Sequence, residues 1–238
     1  MTMLVTVSGP PSSGKTSIII KTVTALRREG LDAGVVKFDC LSTVDGESYE
    51  RAAIQSAVGL SGNLCPDHFF ASNIEESLAW GEKRGIPLVI IESAGLCNRC
   101  SPHIKNIFAI CVIDCLAGVS TPKKIGPMLK LADVVVISKG DIVSQAEREV
   151  MAFRTKQATP KATIVAVNGI TGQGAQELAQ LVREGASASA SIVGNRLRFS
   201  MPMALCSYCL GETKLGDEFQ RGYVRKVDWS ESGEDHRG

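Results

Sequence analysis

The chain lacks an excess of either charge. Its 26 Lys and Arg balance 25 Asp and Glu, for a formal +1 at pH 7. Without a basic excess there is no electrostatic footprint for nucleic acid, and without an acidic excess there is none for a basic partner. No apolar run approaches the roughly 20 residues that a membrane span needs. The opening MTMLVTVS is apolar but runs straight into a glycine loop, so it reads as a buried strand and not as a secretory signal. There is no internal repeat, and no Arg-rich segment of the kind that lids a small-molecule kinase. These absences make a soluble, cytoplasmic protein the expectation. The 238 residues, 44% hydrophobic and 21% charged, suffice for one α/β domain with an appendage or for two small domains.

Short apolar runs rich in β-branched residues recur along the chain: MLVTVS, AGVVKF, PLVIIE, FAICVID, DVVVIS and ATIVAV. Such runs suit a parallel sheet buried on both faces. Between them the pattern predicts helices over 15–28, 47–58, 74–83, 123–131, 145–153 and 173–184. This alternation implies an α/β fold with a doubly wound, mostly parallel sheet. The expected domain spans 1–185. A small, polar linker follows at 186–194, and then an extension over 195–238 whose tail, SESGEDHRG, reads as disordered.

Gly9-Pro-Pro-Ser-Ser-Gly14-Lys15-Thr16 matches G-x-x-x-x-G-K-[ST] between a strand and a helix. Glycines let backbone N–H groups approach phosphate. Gly9, Ser12, Ser13, Gly14, Lys15, Thr16 and Ser17 are the expected nucleotide contacts here. Lys15 bridges the β- and γ-phosphates and Thr16 binds Mg²⁺ through its hydroxyl. Glu92 ends the strand PLVIIE, where a carboxylate can hold the Mg²⁺ shell, and the Gly95 amide can sense the γ-phosphate. Asp39 ends the second strand on the same side of the sheet and can orient water or a Mg²⁺-bound water. Lys15, Asp39 and Glu92 are therefore the expected catalytic residues.

Ser138-Lys139-Gly140-Asp141 is similar to the N-K-x-D element that reads guanine, with Ser in place of Asn. Asp141 can accept from guanine N1–H and its exocyclic amine, and the Lys139 stem can stack on the ring. Asn168 lies in a loop placed to touch the base from the other side. The pattern favours GTP over ATP.

With these residues in hand, the chain resembles the nickel-insertion GTPases, the urease accessory G protein and the hydrogenase nickel-incorporation B protein, over residues 3–182 of a P-loop NTPase domain. KFDCLSTVDGESYER resembles that family's first switch, LVIIESAG with SPHI its second, and VIDCLAGVSTPKKIGPMLKLADVVVISKGD the segment leading to base recognition. The resemblance implies a GTPase that dimerises and passes a metal, usually nickel, to a client apo-enzyme or its accessory protein. The family's Cys-Pro-His metal motif becomes Cys65-Pro66-Asp67-His68 here, one residue longer. Cys65 and His68 are the metal ligands it implies.

Eight cysteines stand at 40, 65, 97, 100, 111, 115, 206 and 209. Cys111 and Cys115 fall in an apolar run and read as core. Cys97-x-x-Cys100 and Cys206-x-x-Cys209 each let two thiolates reach one ion from a tight turn. Together four thiolates can hold Zn²⁺ or Ni²⁺, or a [4Fe–4S] cluster. The pairs can meet within one chain or across a dimer, or stay separate. His103 is a further candidate ligand. Cys97 lies just beyond Gly95, so a γ-phosphate that draws Gly95 inward moves the thiols with it. The reading is a GTP-dependent metallochaperone. The competing one is an ATP-dependent electron donor with a [4Fe–4S] cluster shared in a dimer.

Overall fold

A computed structural model describes residues 2–96, 100–188, 192–200, 211–227 and 229. The first strand, β1 (Met3–Ser8), is buried along nearly its whole length and delivers the chain to the glycine loop. Helix α1 (Lys15–Arg28) starts from Gly14 in the left-handed conformation and ends on Arg27 and Arg28, which suit the negative end of the helix dipole. β2 (Gly34–Asp39), α2 (Asp45–Arg51) and β3 (Ser56–Leu60) follow, then α3 (Pro66–Ser72), α4 (Ile74–Lys83) and β4 (Leu88–Glu92). The second half holds β5 (Phe108–Asp114), α5 (Thr121–Lys124), α6 (Pro127–Lys130), β6 (Val134–Ser138), α7 (Gln145–Ala158), β7 (Thr163–Ala166), α8 (Ala175–Gly185) and the two-residue β8 (Ser187–Ala188).

The strands run in the order β3-β2-β4-β1-β5-β6-β7, all pairs parallel. β8 lies antiparallel against Met3 and Leu4, within the stretch 186–194 that reads as linker. The fold is the expected doubly wound α/β sheet. Its carboxyl ends open a crevice around β1, from which the chain winds outward both ways.

One face of the sheet packs Val5, Val35 and Val112 against α1, α2 and α8. The other face is covered by α3 and α4 around Phe38, Phe69 and Phe70, and beyond them by α5, α6 and α7. Among its described residues, the link between β4 and β5 contributes no helix to that face. Its Ile104 and Ile107 are covered by Ile192 of the stretch 186–194 and by Leu197 and Leu215 of the C-terminal extension. Arg198 anchors the extension there. Its guanidinium pairs with both oxygens of Asp133 at 2.7 and 2.9 Å and donates to the carbonyls of Ile104, Leu131 and Ile107.

Two expected helices differ. The stretch 47–58 is not one helix: α2 stops at Arg51, Ala53 turns the chain at φ 54°, and Ser56–Leu60 is the edge strand β3. The Ala-rich sequence suits a helix locally, but pairing with β2 buries Ala57 and Gly59 and overrides that preference. The stretch 123–131 breaks into α5 and α6 at Gly126, whose φ is 63°, followed by Pro127. α3 carries no clear local signal and forms by burying all seven of its residues. No helix among the described residues is long and apolar enough to cross a membrane.

Candidate nucleotide site

The loop after β1 is held by contacts that only glycine permits. A β-carbon on Gly9 would lie 2.1 Å from the Val112 carbonyl oxygen, and one on Gly95 only 1.7 Å from the carbonyl oxygen of Gly9. Gly95 also has φ 72°. The segment after β4 therefore rests directly on the glycine loop. Lys15 is buried and donates to the carbonyls of Gly9 at 2.9 Å, Pro10 at 3.0 Å and Ala94 at 3.4 Å. Burial holds its ammonium below the usual lysine range. Ser12 adopts φ 60°, Ser13 is buried, and Ser17 is exposed beside Gly169.

Thr16, in the first turn of α1, donates its hydroxyl to Glu92, 3.2 Å from Oε1 and 3.4 Å from Oε2. Glu92 is fully buried and takes two further bonds. Tyr49 Oη donates to Oε2 at 2.6 Å, and Lys37 Nζ donates to Oε1 at 2.7 Å. Lys37 is 4% exposed and also lies 2.9 Å from Asp45 and 3.8 Å from Asp39. Burial pulls the Lys37 ammonium down, but Glu92 and Asp45 more than offset it, and the group sits above its ordinary value. Burial raises Asp45, yet bonds from Lys37, Thr16 and Thr43 hold it below the usual carboxylate range. The Tyr49 phenol is pushed far up, first by burial and then by the Glu92 charge. Glu92 thus meets Thr16 directly, whereas Asp39 reaches the cluster only through Lys37 and accepts from the Cys40 amide. Lys37 and Tyr49 lie within the segment that resembles the first switch but are not singled out there, and are the additions the structure makes. The one sequence signal is a lysine inside an otherwise apolar strand.

On the other side of the loop, Ser138 takes the place of the expected Asn. Its hydroxyl bridges to the carbonyls of Ser13 at 2.6 Å and Ile113 at 3.2 Å, so β6 braces the glycine loop. Lys139, at φ 57°, donates to the Ser12 carbonyl at 2.6 Å and lies 3.9 Å from Asp114. Asp141 and Asn168 line one cavity of about 740 Å³ beside α7, with Gly140, Arg148 and Gln173. The Asn168 side-chain oxygen accepts from the amides of Ile170 and Thr171 and shapes its own loop.

The candidate metal ligands are placed differently. Cys65 caps α3 and is half-buried, and His68 is buried on the same short helix, where burial lowers its pKa. Cys100 is buried in the core under the C-terminal extension. Among the described residues no three His, Cys, Asp or Glu side chains gather closely enough to hold a metal ion. Cys97, Cys206 and Cys209 lie outside the described residues. Cys111 and Cys115 are core residues, and burial pushes the Cys111 thiol up to about 12. His103 is fully buried with both ring nitrogens engaged, Nδ1 with Thr6 Oγ1 at 2.9 Å and Nε2 with Ser8 Oγ at 3.0 Å. That arrangement makes it a brace on β1.

A doubly wound parallel sheet whose first strand ends in G-x-x-x-x-G-K-[ST], with an acid at the end of the neighbouring strand, defines a P-loop NTPase. Residues 3–166 match the nucleotide-binding domain described as CobW/HypB/UreG, and the chain belongs to that family. It is 45% identical over 222 residues to an uncharacterised protein of Methanocaldococcus jannaschii, covering 93% of this chain and 94% of that one. It is 30% identical over 190 residues to the urease accessory protein UreG of Yersinia enterocolitica, covering 74% of this chain and 86% of the relative. Among solved structures, the fold matches the hydrogenase maturation factor HypB of Archaeoglobus fulgidus with a TM-score of 0.60 at 23% identity, over 77% of this chain and 89% of the other. It also matches HypB of Helicobacter pylori in complex with nickel, with a TM-score of 0.62 at 18% identity, over 80% and 91% of the two chains.

Proposed function

We propose that the protein is a GTP-hydrolysing metallochaperone of the cytoplasm, coupling nucleotide state to delivery of nickel during maturation of a metalloenzyme. The observation that carries the reading is the contact of Gly95 with Gly9. Gly95 packs directly on the backbone of Gly9, and Lys15 is bonded to the carbonyls of both Gly9 and Ala94. A γ-phosphate drawing on Lys15 competes with the Ala94 carbonyl for the ammonium, so the segment after β4 must respond. In this reading Lys15 steadies the transferring phosphoryl, Thr16 and Glu92 hold Mg²⁺, Asp39 orients water and Asp141 reads guanine. The residues fit that ion: the Thr16 and Glu92 oxygens stand 3.2 Å apart, close to the roughly 3 Å edge of an octahedron with 2.1 Å ligand distances.

The cargo metal is held by thiolates and imidazole from among Cys65, His68, Cys97, Cys100, Cys206 and Cys209, as Ni²⁺ or Zn²⁺, in a homodimer that meets a client apo-enzyme or its accessory protein. The family membership supports the nucleotide half of this reading. The names of the relatives, a urease accessory protein and a hydrogenase maturation factor solved with nickel, support the metal half.

The test is a titration of protein purified without oxygen with Ni²⁺ and Zn²⁺, in GDP and in a non-hydrolysable GTP analogue, alongside hydrolysis of GTP and ATP. Faster GTP turnover and a metal affinity that differs between nucleotide states, typically by about 5–150-fold for coupled sites, are expected. A brown, iron-loaded protein that hydrolyses only ATP is the outcome that overturns the reading.

A further inference from the structure

Lys37 is a charged residue in the interior of a parallel strand, where neighbours such as Val36 and Phe38 are fully buried. Burying an ammonium is costly unless it is paired and hydrogen-bonded. Here it is paired several times over: 2.7 Å to Glu92, 2.9 Å to Asp45 and 3.8 Å to Asp39. Asp39 ends β2, Asp45 opens α2 after the intervening loop, and Glu92 ends β4. The ammonium thus joins the two stretches that flank the phosphate loop.

The placement is specific at the level of atoms. Glu92 Oε1 accepts from Lys37 Nζ at 2.7 Å and from the Thr16 hydroxyl at 3.2 Å. That hydroxyl is the one P-loop proteins present to Mg²⁺. An ammonium bonded to the same carboxylate oxygen competes with a cation drawn to that oxygen, and its charge opposes the cation's approach. Tyr49 holds the other oxygen, Oε2, at 2.6 Å, so the carboxylate has little freedom to serve both at once.

We propose that Lys37 is a positioning residue that stands in for the metal ion: it holds Asp45 and Asp39 to Glu92 until Mg²⁺ arrives with nucleotide, and then gives up Glu92, releasing the segment after β2. This rests on the reading of the site as one for Mg²⁺·nucleotide. It adds a switch internal to the chain, in which one cation replaces another. Asp45 then leaves Glu92 together with the ammonium, so the loop between β2 and α2 moves when the ion binds. Removing the ammonium removes a competitor for Glu92 and leaves the loop untied in either state.

The experiment measures the Mg²⁺ concentration needed to retain a fluorescent GDP, in the unmodified protein, in Lys37→Gln and in Lys37→Arg. Lys37→Gln is expected to lower that midpoint by at least about tenfold, the order expected when a buried unit charge no longer opposes a divalent ion a few ångströms away. Lys37→Arg keeps the charge beside the three acid partners and is expected to stay near the unmodified value. An unchanged midpoint in folded Lys37→Gln, or an equal fall in Lys37→Arg, overturns the proposal.

A second measurement needs no substitution. In the unmodified protein labelled with ¹⁵N-lysine, the Lys37 ammonium resonance is expected to shift on addition of Mg²⁺ with GDP and not with GDP in EDTA. A resonance indifferent to Mg²⁺·GDP overturns the proposal even where Lys37→Gln fails to fold. Absence of any nucleotide binding in the unmodified protein removes the reading of the site and this inference with it. Binding with an unchanged midpoint removes this inference alone.

Discussion

The phenol of Tyr49 donates a 2.6 Å hydrogen bond to Glu92 Oε2, and both side chains are fully buried. The bond ties α2 to the end of β4 across β2. Tyr49→Phe removes the donor without changing the ring, leaving a carboxylate oxygen deep in the protein with only the longer Thr16 contact. Hydrogen bonds to charged groups contribute about 1.5–3 kcal/mol. The variant is expected to lose stability in that range, read from urea unfolding of the unliganded protein. A loss below about 0.5 kcal/mol would show that Glu92 finds another partner.

Gly95 and Gly30 both hold a left-handed backbone, but only one is crowded. A β-carbon on Gly95 meets the Gly9 carbonyl at 1.7 Å, whereas one on Gly30 meets nothing within 4 Å. Gly30→Ala is expected to cost only the left-handed penalty of about 1–2 kcal/mol, with nucleotide affinity unchanged. Gly95→Ala must push the phosphate loop aside. Its GDP affinity, read by fluorescence titration, is expected to fall at least about tenfold, as when a good phosphate contact is lost. Equal behaviour of the two variants would mean that the contact does not bear on the nucleotide.

His103 makes a prediction about pH. Burial, with a smaller contribution from Arg198, pushes its pKa down to about 3. The unfolded chain takes up a proton near the ordinary histidine value of about 6.5. Between those values the unfolded state binds more protons, so stability rises with pH there and is lost as pH falls from about 6.5 towards 3. One proton accounts for a slope of at most about 1.4 kcal/mol per pH unit. Unfolding profiles of the unmodified protein and His103→Gln are expected to converge as pH falls through this window. Parallel profiles would place the titration elsewhere.

Asp141 lines the cavity at the ends of β6 and β7 and is exposed to an entering base. A carboxylate accepts from guanine N1–H, whereas an amide can donate to the xanthine oxygen. Asp141→Asn is expected to move preference from guanine towards xanthine nucleotides, measured by competition against labelled GDP. ATP competing as well as GTP against the unmodified protein would count against guanine recognition.

The phosphate loop was legible because its residues are contiguous and its function lies in the backbone. Glycines that must pass Val112 or lie beneath Gly95 appear in any reading of the chain as glycines at fixed spacing. The buried strands were legible for a similar reason, since a run such as VVVIS has few places to go but the inside of a sheet. Local preference misled at 47–58, where Ser56–Leu60 forms a strand only because β2 offers its edge.

Only part of the charged cluster was legible: Thr16, Asp39 and Glu92 were, Lys37, Asp45 and Tyr49 were not. Glu92 stands out in the sequence as an acid at a strand end, but nothing there says that Lys37 and Tyr49 turn onto its carboxylate. The sequence by itself determined the sheet, the glycine loop and the class of ligand. Tertiary structure alone decided that Lys37 meets the carboxylate that also meets Thr16, and that the C-terminal extension covers the face left bare between β4 and β5. A buried ion pair and a shared apolar face depend on which elements come together, and only the completed sheet brings these elements within bonding distance.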